Sequence, residues 1–548
     1  MKKHPNILIF CTDEQRGDHL GCMGHPHIKT PNIDRIAAEG SLFRNCYSSS
    51  PVCMPARATM ITGLTNRASG VYSNGVPLDK SIPTLPGILA GAGYRTHSVG
   101  KIHLQPWGGR TIAENEDTSI NPERRIYWKW PGRWEGGIYT EAPDNYYGFQ
   151  TQDSVGGHVD YAYGDYVTWL EKNHPGVYEE GYRYSNQNPG PLTIDADLHY
   201  NKWIADRAIE FVENASGAGC QASESAGRSV RENPDAVSTA TPCRRDRTTS
   251  EPSPEPGPPF FLWCSFPDPH EPFAAVEKWS DFYEDIEIEL PPHTLELSPD
   301  NRSETMKMRG KGMKAYDPEW TKECIRQTYG MISHIDEQVG RVLDALENAG
   351  IADDTVVMFI SDHGDQLGEH GLFYKADYPY NAHMHIPFVA SIPGGVEGRV
   401  VDDVVSQLDL VPTALDLAGV PHPDDLLRQQ KSRDKDAPPL PALPGEVLTP
   451  VLRAGARPVR RNALVEHDTV NGRFETVHMR TLVTNDFKLV YYTPLQEVML
   501  FDRKNDPDEI KNLADESEYS VVVNKLLKQL LAELARTEMR AHCRGTSA

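Results

Sequence analysis

The chain has 548 residues, 39% of them hydrophobic and 24% charged, with a formal charge of -23 at neutral pH. Such a chain can bury a large core, which excludes a small disulfide scaffold, a collagen or coiled-coil protein and a wholly disordered chain. Its acidity, without a Lys/Arg-rich block, disfavours nucleic acid and anionic bilayers as partners of the whole surface but leaves room for a small cationic pocket and an anionic substrate.

Met1 to Pro5 is followed by an apolar run over 6–11 that is too short for a signal sequence and lacks a small-residue cleavage site, so it reads as a first strand. No run approaches the roughly 20 apolar residues of a membrane helix, and the ending Arg544 to Ala548 carries no lipidation signal. The 9 cysteines are odd in number and show no CxxC, HExxH or zinc-finger spacing, which points to a reducing compartment. The expected placement is cytoplasmic.

Periodicity predicts strands over 7–11, 260–265 and 356–360 and helices over 32–39, 58–64, 85–92 and 328–348, the alternation of an α/β fold. Acid or histidine follows each of those strands. Residues 128–200 are rich in Tyr, Trp, Gly, Asn and Pro with weak periodicity, which predicts irregular excursions over the sheet. Residues 214–258 turn to Ser, Gly, Glu, Arg and Pro and predict a disordered insertion. The Pro-rich stretch 421–450 reads as a linker between a catalytic domain over 1–420 and a C-terminal part over 451–548. In that last part 480–483, 487–492 and 499–501 alternate like antiparallel strands, and 519–538 has the spacing of a helix packed on them.

The most specific string is Cys53-Met54-Pro55-Ala56-Arg57, followed by Thr62-Gly63. Taken alone it reads as a half-buried thiol beside a helix-starting proline. Its chemical reading puts Cys53 at a helix N-terminus, where free N–H groups favour an anion, with Arg57 one turn on facing the same place. Asp13-Glu14 follows the first strand, and Asp362-His363-Gly364 follows the strand over 356–360. Residues just past the C-terminal ends of strands meet on one edge of a doubly wound sheet, so acids remote in sequence can close one site. Gly100-Lys101-Ile102-His103, His270 within Ser265 to Pro272, and Lys375 after Phe373-Tyr374 add cationic groups. Singly, each of these reads as an ordinary cap, turn residue or solvated side chain.

Together and in this order the strings resemble the formylglycine-dependent sulfatases, a branch of the alkaline phosphatase superfamily that also includes phosphonate monoester hydrolases. The closest motif match is to the extended Cys-x-Pro-x-Arg-x-x-x-x-Thr-Gly signature. The resemblance covers about 5–375, the helices near 329–343 and 406–419 and the closing segment 500–513, and leaves 214–258 outside. It implies an α/β fold, a mixed sheet sandwiched by helices, with a smaller C-terminal antiparallel sheet and helix.

The resemblance also implies roles. Cys53 would be converted to formylglycine (3-oxoalanine) by a formylglycine-generating enzyme, its hydrated aldehyde serving as nucleophile. Asp13, Glu14, Asp362 and His363 would hold one divalent metal. Hard carboxylates suit Ca2+, Mn2+ or Mg2+, His363 shifts the set toward a transition metal, and Ca2+ is the expected ion. Glu14 departs from the pattern, where many members have a second Asp and some an amide, and Asp18 is an alternative for its role. Arg57, Lys101, His270 and Lys375 would bind the sulfate oxygens, one of His270 and Lys375 protonating the leaving oxygen, and His103 would take a proton from the second hydroxyl to regenerate the aldehyde.

The activity so implied is hydrolysis of a small-molecule or saccharide sulfate monoester, releasing sulfate and an alcohol or phenol. Hydrolysis of a phosphonate monoester or phosphodiester by the same nucleophile is the alternative, and a non-catalytic protein that kept the fold would differ by an unmodified Cys53 and no metal. Neither nucleic acid nor a membrane is an expected partner, and the sequence neither demands nor excludes a homo-oligomer.

Overall fold

The structure, a computed structural model, describes residues 4–105, 145–159, 162–182, 189–216, 257–291, 317–421, 443–468, 477–493 and 495–538. The chain opens with β1 (Asn6–Thr12), α1 (Pro31–Ala38), β2 (Ser41–Phe43), β3 (Cys46–Tyr47), α2 (Cys53–Thr62), α3 (Asn66–Ser69), α4 (Leu85–Gly91) and β4 (Arg95–Gly100). Then come β5 (Thr151–Gly156), β6 (Tyr163–Gly164), α5 (Asp165–Asn173), α6 (Val177–Gly181), α7 (Tyr200–Ala215), β7 (Phe260–Ser265), α8 (Glu277–Phe282), α9 (Pro318–Asn348) and β8 (Thr355–Ser361). The rest is β9 (His385–Ile386), β10 (Phe388–Ser391), β11 (Arg399–Val401), β12 (Val405–Ser406), α10 (Leu410–Ala418), α11 (Thr449–Ala454), β13 (Asn462–Asp468), β14 (His478–Thr484), β15 (Phe487–Thr493), β16 (Glu497–Asp502) and α12 (Ser520–Thr537).

Nine strands form the main sheet in the order β11-β2-β10-β8-β1-β7-β4-β5-β6. At its centre β8, β1, β7, β4 and β5 run parallel, while β10 is antiparallel to β8. Cys11 pairs with both Ser265 and Ile360, and Gly100 also pairs with Ser265, so four strands end level. The loops leaving them issue from one edge, the arrangement that collects ligands in open α/β sheets.

Alternate residues of β1 feed two cores. Ile7 and Ile9 pack with α2, α4 and α10 on one face, whereas Leu8 and Phe10 pack with α1, α7 and α9 on the other. Burial on both faces is why β1 reads as a continuous apolar run. Helix α9 begins at Pro318, well before the predicted 328, because Asp317 accepts hydrogen bonds from the N–H groups of Glu319 and Trp320 and Pro318 occupies the first helical position.

The C-terminal sheet β13-β14-β15-β16 is antiparallel. Leu464, Leu482, Leu489 and Leu500 face Leu526 and Leu530 of α12, while Val465, Met479 and Val490 pack with Tyr47 and Leu372. Strand β13 escaped the sequence reading because its apolar run is only Ala463 to Val465 between polar ends.

The described part of 128–200 is not an irregular excursion. Strand β5 extends the main sheet beside β4, and Phe149, Tyr166, Tyr182 and Tyr200 are core residues. The polar Thr151, Gln152 and Asp153 are partly exposed, so β5 carries too little apolar signal to read as a strand. The predicted insertion over 214–258 falls for the most part, at 217–256, outside the described residues, as do 106–144 and, within the predicted linker, 422–442. No helix among the described residues is long and apolar enough to cross a membrane.

Candidate active site

Backbone bonds past the strand ends draw the site's loops together. Asp13 N–H donates to Asp268 C=O (3.2 Å), Asp362 N–H to Thr12 C=O (3.2 Å) and Lys101 N–H to Ser265 C=O (3.0 Å). Gly100, with φ 90°, is required at the last of these crossings, since a Cβ there would lie 1.8 Å from the Ser265 carbonyl oxygen. Ser48 Oγ and Gln407 Nε2 both donate to the Asp362 carbonyl, at 2.6 and 2.9 Å, and fix the end of β8.

Cys53 is the first residue of α2, at the helix N-terminus as its sequence suggests, and is buried. The next N–H, from Met54, donates to Asn74 Oδ1 over 2.9 Å. Cys53 Sγ lies 3.1 Å from His363 Nε2 and 3.7 Å from Asp13 Oδ1. Asp13, Cys53, Asp362 and His363 thus bring one ligand-capable atom each within 4.8 Å of one another, all buried. Burial holds the His363 pKa below the usual imidazole range. In the neutral ring, Nδ1–H donates to Gly364 C=O (3.0 Å), which leaves Nε2 as a lone pair aimed at the site.

Arg57 lies one turn further along α2. Its Nε donates to Asp362 Oδ2 (2.8 Å), its Nη1 to Lys101 C=O (2.9 Å) and Ser265 Oγ (3.0 Å), and its Nη2 is 3.5 Å from Asp13 Oδ2. The guanidinium therefore grips the two carboxylates and the strand ends. Lys101 Nζ donates to Asp13 Oδ2 and to His158 Nε2, the latter over 3.1 Å. Burial pushes the Asp13 pKa up, but Lys101 and Arg57 overcome it and hold the carboxyl well below the usual range.

On the other side of Asp13, Lys375 Nζ lies against both Glu14 Oε2 and His270 Nε2, and His270 Nε2 is 3.0 Å from Glu14 Oε2. Burial lowers the His270 pKa, but the Glu271 carboxylate, 2.8 Å from Nδ1, outweighs it and the net direction is up. Burial together with Glu271 raises the Glu14 pKa well above the usual range in spite of Lys375. His103 is buried, and that burial, with Lys101 and Arg57 nearby, lowers its pKa well below the imidazole range and favours a neutral base.

All ten residues singled out in the sequence are thus buried, or nearly so, around one edge of the sheet, in two linked groups. Glu14 stands with Asp13 and His270 rather than in the group that holds Asp362 and His363. Asp18 lies away from both, its carboxylate bound by Arg16 Nε (2.9 Å) and His19 Nδ1 (2.7 Å). His383 and His385 bind backbone carbonyls, of Ala376 and Arg44. The sequence reading missed His158, whose ring stacks on His270, and Glu271, which it quoted without a role. For His158 the available signal was Gly156-Gly157-His158 directly after a strand, concealed because β5 itself was not recognised.

A profile of the sulfatase family matches residues 5–215 and 246–420, and one of the N-sulphoglucosamine sulphohydrolase C-terminal region matches 437–536. The chain belongs to the sulfatase family. An arylsulfatase of Clostridium perfringens is 28% identical over 549 residues, covering 97% of this chain and 95% of the relative. The same fold occurs in the phosphonate monoester hydrolase of Agrobacterium radiobacter (22% identity, TM-score 0.71, 97% of this chain and 96% of that one). It recurs in a putative sulfatase of Bacteroides fragilis (22% identity, TM-score 0.64, 98% and 97%).

The residues of this sulfatase-family site fit a divalent cation. Asp13, Asp362 and the Nε2 lone pair of His363 converge, and Glu14 Oε1, in the adjoining group with Asp13 and His270, is buried with no hydrogen-bond partner among the described residues. A buried carboxylate oxygen left unmet is costly unless a cation satisfies it.

Proposed function

We propose that the protein hydrolyses a sulfate monoester, releasing sulfate and an alcohol or phenol, with position 53 as nucleophile. The observation that carries this reading is the seat of Cys53: a buried side chain in the first turn of α2, between a neutral His363 and Asp13, whose carboxylate is held by Lys101 and faced by Arg57. The full-length similarity to an arylsulfatase supports it.

Asp13, Asp362 and His363 would hold the divalent metal with Glu14 at its side, Ca2+ being the proposed ion, and when bound it supplies a Lewis acid for the ester oxygens. Converted to formylglycine and hydrated, position 53 supplies a hydroxyl that attacks sulfur as the S–O bond to the departing alcohol breaks, and the second hydroxyl then expels the sulfate as the aldehyde re-forms. Lys101, His270 and Lys375 stand where nonbridging oxygens gather charge, and the upward shift of His270 suits it to donate a proton to the leaving oxygen. His103, held neutral, accepts the proton whose removal frees position 53 for another cycle. Arg57 works through Asp13 and Asp362, holding both carboxylates in place.

The test is kcat/KM on one metal-replete preparation for an aryl sulfate and a phenyl phosphonate monoester that share a leaving group. A large preference for the sulfate is expected. A preference for the phosphonate would replace the substrate class while keeping the nucleophile and the metal ligands.

A further inference from the structure

His158 follows β5 on a loop pinned by close packing: a Cβ on Gly156 would lie 2.0 Å from the Tyr163 ring. The side chain is 6% exposed. Its ring lies parallel to that of His270, with centroids 3.4 Å apart and planes 8° apart, and its Nε2 is 3.1 Å from Lys101 Nζ. One ring from β5 thus touches cationic groups carried by the loops after β7 and β4, the next strands in the sheet.

We propose that His158 is a positioning residue, a fixed imidazole platform whose face sets the plane of His270 and whose Nε2 sets the direction of the Lys101 ammonium. This rests on the reading above, in which those two groups bind the ester.

An ammonium only donates, so Nε2 accepts, and the ring is the uncharged tautomer with its hydrogen on Nδ1. Burial, then His270 and Lys101, lower the His158 pKa well below the imidazole range, in keeping with that state. Nδ1 is itself buried with no hydrogen-bond partner among the described residues. Such an unmet donor is unfavourable, so a ring chosen only to fill space would be apolar. Phenylalanine could stack on His270 but not accept from Lys101, and glutamine could accept but not stack, so the two contacts can be separated.

The experiment compares His158→Ala, His158→Phe and His158→Gln with the parent for kcat, KM, bound metal and conversion of Cys53. We expect His158→Ala to lower kcat by about tenfold to a hundredfold with metal and conversion unchanged, and Phe and Gln each to recover part of the loss. Parental kcat and KM in His158→Ala would overturn the proposal. So would equal losses in all three variants accompanied by lost metal, which would make the residue a fold element only. Crystal structures of the parent and the Ala variant read the proposal without substrate: a displaced His270 ring or Lys101 side chain is expected, and unchanged positions of both would refute it. If the parent turns over neither ester, the functional reading fails, and the two crystal structures still decide the role of His158.

Discussion

Arg57 donates from Nε to Asp362 Oδ2 over 2.8 Å, joining two fully buried side chains that stand 305 positions apart in the chain. The same guanidinium binds the Lys101 carbonyl and Ser265 Oγ, so α2 is tied to three strand ends at once. Breaking a buried ion pair by removing one partner costs about 3–5 kcal/mol, because the other charge is left uncompensated. Arg57→Ala should therefore lose turnover and also unfold at clearly lower denaturant. Arg57→Lys should not restore it, since a single ammonium cannot reproduce the planar fork. Parental stability in Arg57→Ala, measured by urea denaturation, would contradict this linkage.

Position 53 has its own signature. Cys53→Ser offers one hydroxyl where the hydrated aldehyde offers two, so the variant should fold, react at most once per site and then stall. Cys53→Ala should bind the ester without reacting. Burst kinetics with an aryl sulfate distinguish these outcomes, and sustained turnover by the serine variant would rule out the aldehyde.

Asp13 and Asp362 hold the metal in this account, while Glu14 is engaged by Lys375 and His270. Elemental analysis of purified protein should show bound metal falling with Asp13→Ala and Asp362→Ala, each with loss of rate. Full metal content in either variant would refute its ligand role.

Away from the site, His334 and His199 are buried with ring centroids 5.0 Å apart. Burial lowers the His334 pKa to about 4, with Lys278 and Arg341 acting in the same direction against Glu337, and burial together with His334 lowers that of His199 well below the usual value. The unfolded chain then binds more protons than the native one between about pH 6.5 and 4. Their contribution to stability should be complete above about pH 6.5 and lost as the pH falls through that window, on the order of 3 kcal/mol for His334 alone. Urea midpoints between pH 7 and 4 should fall less steeply in His334→Gln than in the parent, and identical slopes would contradict the assignment.

The site's contiguous strings were legible because their spacing is local. Cys53 to Arg57 spans one helical turn, and Asp13 and Asp362 each follow directly on a strand whose apolar run marks where it ends, while Lys101 follows the Gly100 that closes β4. The start of α2 at Cys53 was legible as well, because Pro55 is allowed in a first turn. The engagement of Glu14 by Lys375 and the stack of His158 on His270 depend on which loops the sheet order brings together, and no local pattern encodes that order. Strand β5 was hidden for a related reason, since a polar, partly exposed strand carries almost no hydrophobic period.

The most direct test of the central claim is a mass spectrum of the peptide containing position 53, taken from a preparation of known specific activity. We expect an aldehyde in place of the Cys53 thiol, with turnover proportional to the fraction converted. Full turnover from a preparation in which that residue is entirely unmodified cysteine would contradict the account.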